Sequence, residues 1–227
     1  MIKTPQKLLL DSFEKNLKKN ALWDNEKFYT YKKILDFTKP IIKKLQYYNS
    51  KKVAVLNEKN IFCYCSILSI FLDNKIFVPL NHRFSNTKNI YILKKAKIDT
   101  ILVGEQFLTK AIELKKILKK NLNIILVDRK IITNSDKKHN FKINTSKLTD
   151  NSYIFFTSGT TGNPKGVTIK NINLSNYIYN LKDRFKFRYY DKFSNNFDIT
   201  FDLFLHDLFI SWTSGACLYI PNKNYFF

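Results

Sequence analysis

Cysteine, histidine, arginine and long apolar runs are all scarce in this chain, and each scarcity closes off a class of protein. The three cysteines, Cys63, Cys65 and Cys217, are an odd number with no C-x-x-C spacing. Neither a disulfide framework nor a zinc site is expected, which fits a reducing, cytoplasmic compartment. The three histidines, His82, His139 and His206, stand far apart and none sits in an H-E-x-x-H pattern, so each is expected to pack or face solvent and no metal is assigned to them. The longest apolar run, Ile61 to Leu72, ends at Asp73. A membrane span needs about 20 residues, so this reads as a buried helix and no membrane partner is expected. Leu8 to Leu10 is likewise too short for the apolar region of a signal peptide.

Acidic residues are few, 18 against 39 lysines and arginines, for a formal net charge of +21. Such an excess invites a nucleic-acid reading. Only Arg83, Arg129, Arg184 and Arg188 are arginine, however, the residue whose planar fork reads bases and phosphates. The lysines are spread along the whole chain, and Asn, Ile, Phe and Tyr are over-used with them. All five types have A/T-rich codons, so genome composition accounts for the charge and no nucleic-acid partner is expected. A length of 227 residues with 44% hydrophobic residues suits one large or two small globular domains.

Short β-type runs alternate with helical ones. The first segment reads as a helix capped by Thr4, with Pro5 in its first turn and Leu9, Phe13 and Leu17 on one face. Strands are expected at KKVAVLN, KIFVPLN, DTILVG and NLNIILVD, separated by the Ile61–Leu72 helix, a helix starting near Ser85 or Asn86, and the amphipathic EQFLTKAIELKKILKK. This rhythm implies an α/β fold with a largely parallel sheet flanked by helices. The polar stretch Arg129 to Asp150 reads as a linker or long surface loop, dividing residues 1–150, a first α/β subdomain, from 151–227.

Glycine too is scarce, five in the whole chain, yet Gly159, Gly162 and Gly166 fall within one stretch, YIFFTSGTTGNPKGVTIKN, from Tyr153 to Asn171. Small residues between two strands let backbone N–H groups converge on an anion. Thr157, Ser158, Thr160 and Thr161 add hydroxyls, and Lys165 a mobile positive charge; the natural ligand is a polyphosphate. Neither G-x-x-x-x-G-K-[ST] nor G-x-G-x-x-G is matched, since Pro164 and Gly166 stand where the first would need glycine and a hydroxyl. The run GVTIK is strand-like, so the loop is expected to join two strands and not to open a helix.

The core T-S-G-T-T-G-x-P-K-G, complete from Thr157 to Gly166, resembles the phosphate-loop signature of the adenylate-forming (AMP-binding) superfamily. YTYKKILDFTKPIIKKL resembles its early helix, and DNKIFVPLNHRFS its strand after the buried helix. Asn171 stands where many members carry histidine. The resemblance covers nearly the whole chain but about the first half of a family enzyme. It implies layered, mostly parallel sheets flanked by helices, the N-terminal part of the family's large domain. Residues 151–227 would be the phosphate-loop hairpin and the start of the substrate pocket. It also implies that Thr157, Ser158, Gly159, Thr160, Thr161, Gly162 and Lys165 hold the β- and γ-phosphates of ATP, with Mg²⁺ sharing the charge. No residue here matches the family's catalytic lysine. The chain is therefore expected to be a truncated part, half of a split enzyme or a fragment, with no adenylation turnover by itself.

The stretch FDITFDLFLHDLFISWTSGACLYI resembles the F-D-x-S pattern of amino-acid adenylation domains and D-alanine–carrier-protein ligases, whose aspartate pairs with the substrate's α-ammonium. Such pairing selects against a plain fatty acid, which would leave the carboxylate unpaired. Phe197-Asp198 and Phe201-Asp202 both fit the pattern; the spacing to Gly215 favours Asp202, with Phe204 in place of the usual small hydroxyl residue. Capping of a helix beginning near Leu203 is the plainer role for Asp202, and His206 and Asp207 are expected to pack or face solvent. The resemblance implies activation of a carboxylate, an amino acid by this reading, for transfer to a carrier protein's phosphopantetheine thiol. An acyl-CoA synthetase-like ligase and a non-catalytic remnant are the alternatives.

Overall fold

A computed structural model describes residues 1–133, 143–157 and 164–221. In chain order, the first third runs α1 (Pro5–Lys15), β1 (Asn20–Asp24), β2 (Lys27–Thr30), α2 (Tyr31–Tyr48), β3 (Lys52–Leu56) and α3 (Ile61–Leu72). Then come β4 (Ile76–Pro79), α4 (Asn86–Ala96), β5 (Thr100–Val103), α5 (Leu108–Leu118), β6 (Asn123–Leu126) and α6 (Arg129–Thr133). The last part is β7 (Asn151–Thr157), β8 (Lys165–Lys170), α7 (Asn171–Phe185), β9 (Lys192–Ser194), α8 (Asp202–Thr213) and β10 (Cys217–Tyr219).

Two sheets result. Six strands lie in the order β6-β5-β3-β4-β7-β8, parallel except for β8, which runs antiparallel to β7. Four lie in the order β2-β1-β10-β9, parallel except for β2. Both sheets take strands from either side of Asp150.

Side-chain alternation along the strands sorts the six-stranded sheet into two faces. Ala54, Leu56, Val78, Ile101 and Val103 pack with Ile90, Leu93, Ala111 and Leu114 of α4 and α5. Val53, Val55, Phe77 and Leu102 pack with α1, α2, α3 and α8, a layer that also buries Leu22 and Leu218 of the four-stranded sheet. The helix α3 lies inside this layer, and every one of its residues except Phe62 is buried. That explains an apolar run with almost no polar face: a helix covered on all sides needs none.

Local chemistry sets the ends of the elements. Thr4 caps α1 by accepting the Lys7 N–H at 3.3 Å, with Pro5 following, as expected. The helix stops at Lys15, so Leu17 does not join the face of Leu9 and Phe13; it is exposed in the turn that leads into β1. Asn16 ends the helix, its Nδ2 returning to the Ser12 carbonyl at 2.8 Å. Asn25 and Glu26 both have positive φ, 46° and 62°, the geometry of a tight hairpin turn between β1 and β2. The segment after Arg129 is less loop-like than its polarity suggests. It begins with α6, and residues 143–150 are held down: Gln6 donates to the Asn144 carbonyl at 2.7 Å, and Asn74 to the Thr145 carbonyl at 3.0 Å. No helix among the described residues is long and apolar enough to cross a membrane.

Gly215, between α8 and β10, has φ +74°, and a Cβ there would come within 2.6 Å of Asn16 Nδ2. A side chain would strain the backbone and push on the end of α1. Gly215→Ala is expected to destabilise the chain by about 1–3 kcal/mol, read from the urea midpoint. An unchanged midpoint would contradict the left-handed turn.

Candidate functional site

The glycine-rich stretch is carried by the β7–β8 pair at one edge of the six-stranded sheet. β7 runs parallel to β4, with Tyr153 opposite Phe77, so Thr157 emerges at the carboxyl end of the sheet beside the residues that follow β4. β8 returns antiparallel, from Lys165 opposite Thr157 to Lys170 opposite Asn151. The hydroxyl of Thr157 lies 3.5 Å from the Lys165 carbonyl. The expected order, strand, loop, strand, is found, and α7 starts only after β8, at Asn171. Of the expected phosphate-binding residues, Thr157 and Lys165 face each other at the base of the loop. Ser158, Gly159, Thr160, Thr161 and Gly162 lie outside the described residues. Gly166 lies close to its cross-strand partner: a Cβ there would meet the Phe156 ring at 3.1 Å, a tight contact.

Beside this hairpin lies a cleft of about 610 Å³. The hairpin contributes Tyr153, Phe155, Val167, Ile169 and Thr157. The segment after β4, with the start of α4, contributes Asn81, Arg83, Phe84 and Lys88. The segment before α8 contributes Asp198, Thr200, Phe201 and Asp202. The location follows from topology. β7 lies next to β4, so the segment that follows β4 and the hairpin that β7 opens meet at the carboxyl ends of these strands. A crevice opens at the carboxyl ends of such strands.

Both aspartates offered by the sequence line the cleft, in different ways. Asp198 is half-buried and committed to holding its own segment. Its Oδ1 accepts from Asn81 Nδ2 at 3.0 Å, from the Thr200 N–H at 2.9 Å and from the Thr200 hydroxyl at 2.6 Å. Asp202 is the exposed first residue of α8, and among the described residues its Oδ1 accepts only the adjacent Leu203 N–H at 2.9 Å. A carboxylate in the first turn of a helix complements the helix dipole. Its surroundings are aromatic. Burial raises the Tyr153 hydroxyl to about 12, with the Asp202 charge adding to the effect. Burial, then Asp202, then Asp207 hold the Tyr177 hydroxyl above its ordinary range.

His206 is neither free nor buried: its Nδ1 lies 2.6 Å from the Tyr177 hydroxyl, joining α7 to α8. Asp207 receives Asn195 Nδ2 at 3.2 Å, and burial holds its carboxyl above the usual range. Asn195 in turn takes the Tyr64 hydroxyl on Oδ1 at 2.8 Å and donates to the Phe204 carbonyl at 3.0 Å. The segment leading to Asp202 is thus pinned at Asn195 from α3 and at Asp198 from the end of β4. Asn81, Arg83, Lys88 and Thr200 were not marked by sequence reasoning. The one signal for the first two is the polar break Asn81-His82-Arg83 directly after an apolar strand. His82 stacks on the Phe107 ring, centroids 4.7 Å apart. No cluster of three metal-ligating side chains occurs among the described residues.

The described residues thus form a mixed α/β fold with a cleft at the carboxyl ends of parallel strands, beside the β7–β8 hairpin. A family model described as AMP-binding enzyme matches residues 11–226. The chain belongs to that family. It is 24% identical over 168 residues to bacitracin synthase 1 of Bacillus licheniformis, covering 74% of this chain and 3% of that protein. It is 26% identical over 172 residues to gramicidin S synthase 1 of Brevibacillus brevis, covering 76% and 15%. Among solved structures it is similar to the Vibrio cholerae adenylation domain AlmE in complex with glycyl-adenosine-5'-phosphate. There the TM-score is 0.81 at 24% identity, over 99% of this chain and 46% of that one. The AMPPNP-bound nonribosomal peptide synthetase FmoA3 gives a TM-score of 0.83 at 17% identity, over 96% and 23%. The chain therefore spans less than half the length of each of these relatives.

Removing the Asp198 carboxylate would strand the buried Asn81 donor. Asp198→Ala is expected to lower stability by about 1–3 kcal/mol, and Asp198→Asn, which keeps an acceptor oxygen, by less than half of that. Urea midpoints of the two variants check this; equal losses would contradict the assigned hydrogen bonds.

Proposed function

We propose that this chain is the phosphate- and substrate-binding part of an adenylate-forming ligase that activates an amino acid. The observation that carries the proposal is the placement of Thr157 and Lys165 beside a cleft that also presents Asp202. One wall offers a hydroxyl and a cation to phosphates, and another offers a carboxylate to an ammonium. In this reading ATP is the co-substrate, its β- and γ-phosphates on the hairpin. The substrate carboxylate attacks the α-phosphorus, an aminoacyl-adenylate forms and pyrophosphate leaves. The hairpin residues position and neutralise the triphosphate, with no covalent part in the reaction. Magnesium is generally held by substrate phosphates with one or two carboxylates, so it would arrive with the nucleotide.

Asp202 is read as the selector for the α-ammonium. Its second oxygen has no partner among the described residues, and Tyr153 and Tyr177 lie near enough to feel its charge. An acyl-adenylate is a mixed carboxylic–phosphoric anhydride, and the proposed acceptor is the phosphopantetheine thiol of a carrier protein, whose sulfur would attack the acyl carbon as AMP leaves. The similar adenylation domain solved with glycyl-adenosine-5'-phosphate supports an amino acid over a simple fatty acid as substrate.

Titration calorimetry of the purified chain tests the reading. ATP·Mg²⁺ is expected to bind, and Lys165→Ala to weaken it about tenfold or more, the worth of a hydrogen bond to a charged group. Asp202→Ala should leave nucleotide binding in place. In a protein carrying the remainder of an adenylation domain, it should lower amino-acid-dependent pyrophosphate exchange by a similar factor. Exchange driven equally well by acetate, and indifferent to the substitution, would transfer the protein to the acyl-CoA class.

A further inference from the structure

The cleft has a cationic wall that the proposed roles leave unused. Arg83 follows β4, and Lys88 lies in the first turn of α4, both on the same cleft as Thr157. The loop that carries Arg83 is held from three directions. Lys110 of α5 donates to the His82 carbonyl and the Phe84 carbonyl, both at 2.6 Å. Asn89 donates to the Asn81 carbonyl at 3.0 Å, and the Arg83 N–H itself is taken by Asn81 Oδ1 at 2.8 Å. The backbone of Arg83 is fixed while its exposed guanidinium has no partner among the described residues. Lys88 is half-buried, its ammonium 3.5 Å from the centroid of the Phe84 ring, which keeps it at the cleft. The helix α4 packs against β8, and Phe156 packs into the same apolar cluster as α4, so this wall stands next to the hairpin.

We infer that Arg83 and Lys88 bind the polyphosphate of the nucleotide together with Thr157 and Lys165. This rests on the reading of the hairpin given above and extends it to the adjoining wall. The electrostatic layout supports it. Cations line the β4–α4 side and the carboxylates of Asp198 and Asp202 line the α8 side, so one cleft presents opposite charges to two reactants. A polyphosphate is drawn to the first wall and repelled by the second; an ammonium is drawn to the second. Arg83 can meet phosphate oxygens with its planar fork, and Lys88 as a point charge.

The test is calorimetric titration of the purified chain with inorganic tripolyphosphate and with ATP·Mg²⁺, with adenosine as the control lacking phosphates. Arg83→Ala and Lys88→Gln are each expected to weaken both anions about three- to tenfold, with Arg83→Lys recovering part of the loss. Urea midpoints of these variants should match the parent, and adenosine should behave identically with all of them. Lys119→Ala/Lys120→Ala, on the exposed end of α5, should change nothing. If Lys165→Ala weakens binding and the Arg83 and Lys88 variants do not, the inference is overturned and the hairpin reading stands. An equal effect of the Lys119/Lys120 control would mean diffuse charge attraction, which overturns the inference. A loss with Arg83→Ala and Lys88→Gln but none with Lys165→Ala would support this wall and sink the hairpin reading. No binding of either anion would overturn both.

Discussion

The burial of α3 between the two sheets is the constraint on which the rest of the arrangement depends. An apolar helix with all but one residue buried must be enclosed on every side. The six-stranded sheet covers it from one direction, and α1, α2 and α8 close the others. Its two ends then organise polar contacts with distant segments. At the start, Asp24 of β1 accepts the Ile61 N–H at 2.9 Å, and Tyr64 reaches Asn195 ahead of α8. At the finish, Asp73 takes Gln46 at 2.7 Å and Asn144 at 2.8 Å and lies 3.3 Å from buried Lys75. Buried polar groups of this kind stabilise little in net terms, but they are costly to leave unpaired and so fix one arrangement.

From that constraint the cleft follows. β7 lies beside β4, so the segment that follows β4 stands next to the glycine-rich stretch that follows β7. The segment before α8 is brought to the same place by Asn195 and Asp198, each tied to an element more than a hundred residues earlier. Groups of three different kinds therefore converge. The hairpin brings a hydroxyl and a lysine, the β4–α4 turn an arginine and a lysine, and the start of α8 a carboxylate. In the proposed reading the cations for a triphosphate and the carboxylate for an ammonium come from separate elements, which Asn81 and Asp198 tie together at 3.0 Å.

Much of the fold was legible in the sequence because its signals are local. The apolar run at α3, the capping Thr4, the start of α4 near Ser85 or Asn86, and the β–α alternation each follow from spacing within a dozen residues. The β7–β8 hairpin could be read because strand-like runs, YIFFT and GVTIK, flank the glycine-rich stretch. What was missed depends on tertiary context. The β1–β2 turn uses Asn25 and Glu26 at positive φ without a glycine, so it carries no strong turn signature. The three-residue β9 is too short for a periodic pattern. Leu17 continued the helical spacing but fell beyond the cap at Asn16. The polar stretch ending at Asp150 looked free because its partners, Gln6 and Asn74, are far away in sequence. At the cleft, Thr157, Lys165 and Asp202 could be named from motifs. Arg83 and Lys88 could not, since only the strand order β3-β4-β7 brings them beside the hairpin.

The central claim is that the hairpin and cleft hold a nucleotide by its phosphates. A crystal structure of the chain grown with AMPPNP and Mg²⁺ tests it most directly. The account predicts phosphate oxygens within hydrogen-bond reach of the Thr157 hydroxyl and the Lys165 ammonium. Nucleotide bound on another face, with the cleft taken up by solvent alone, would contradict it.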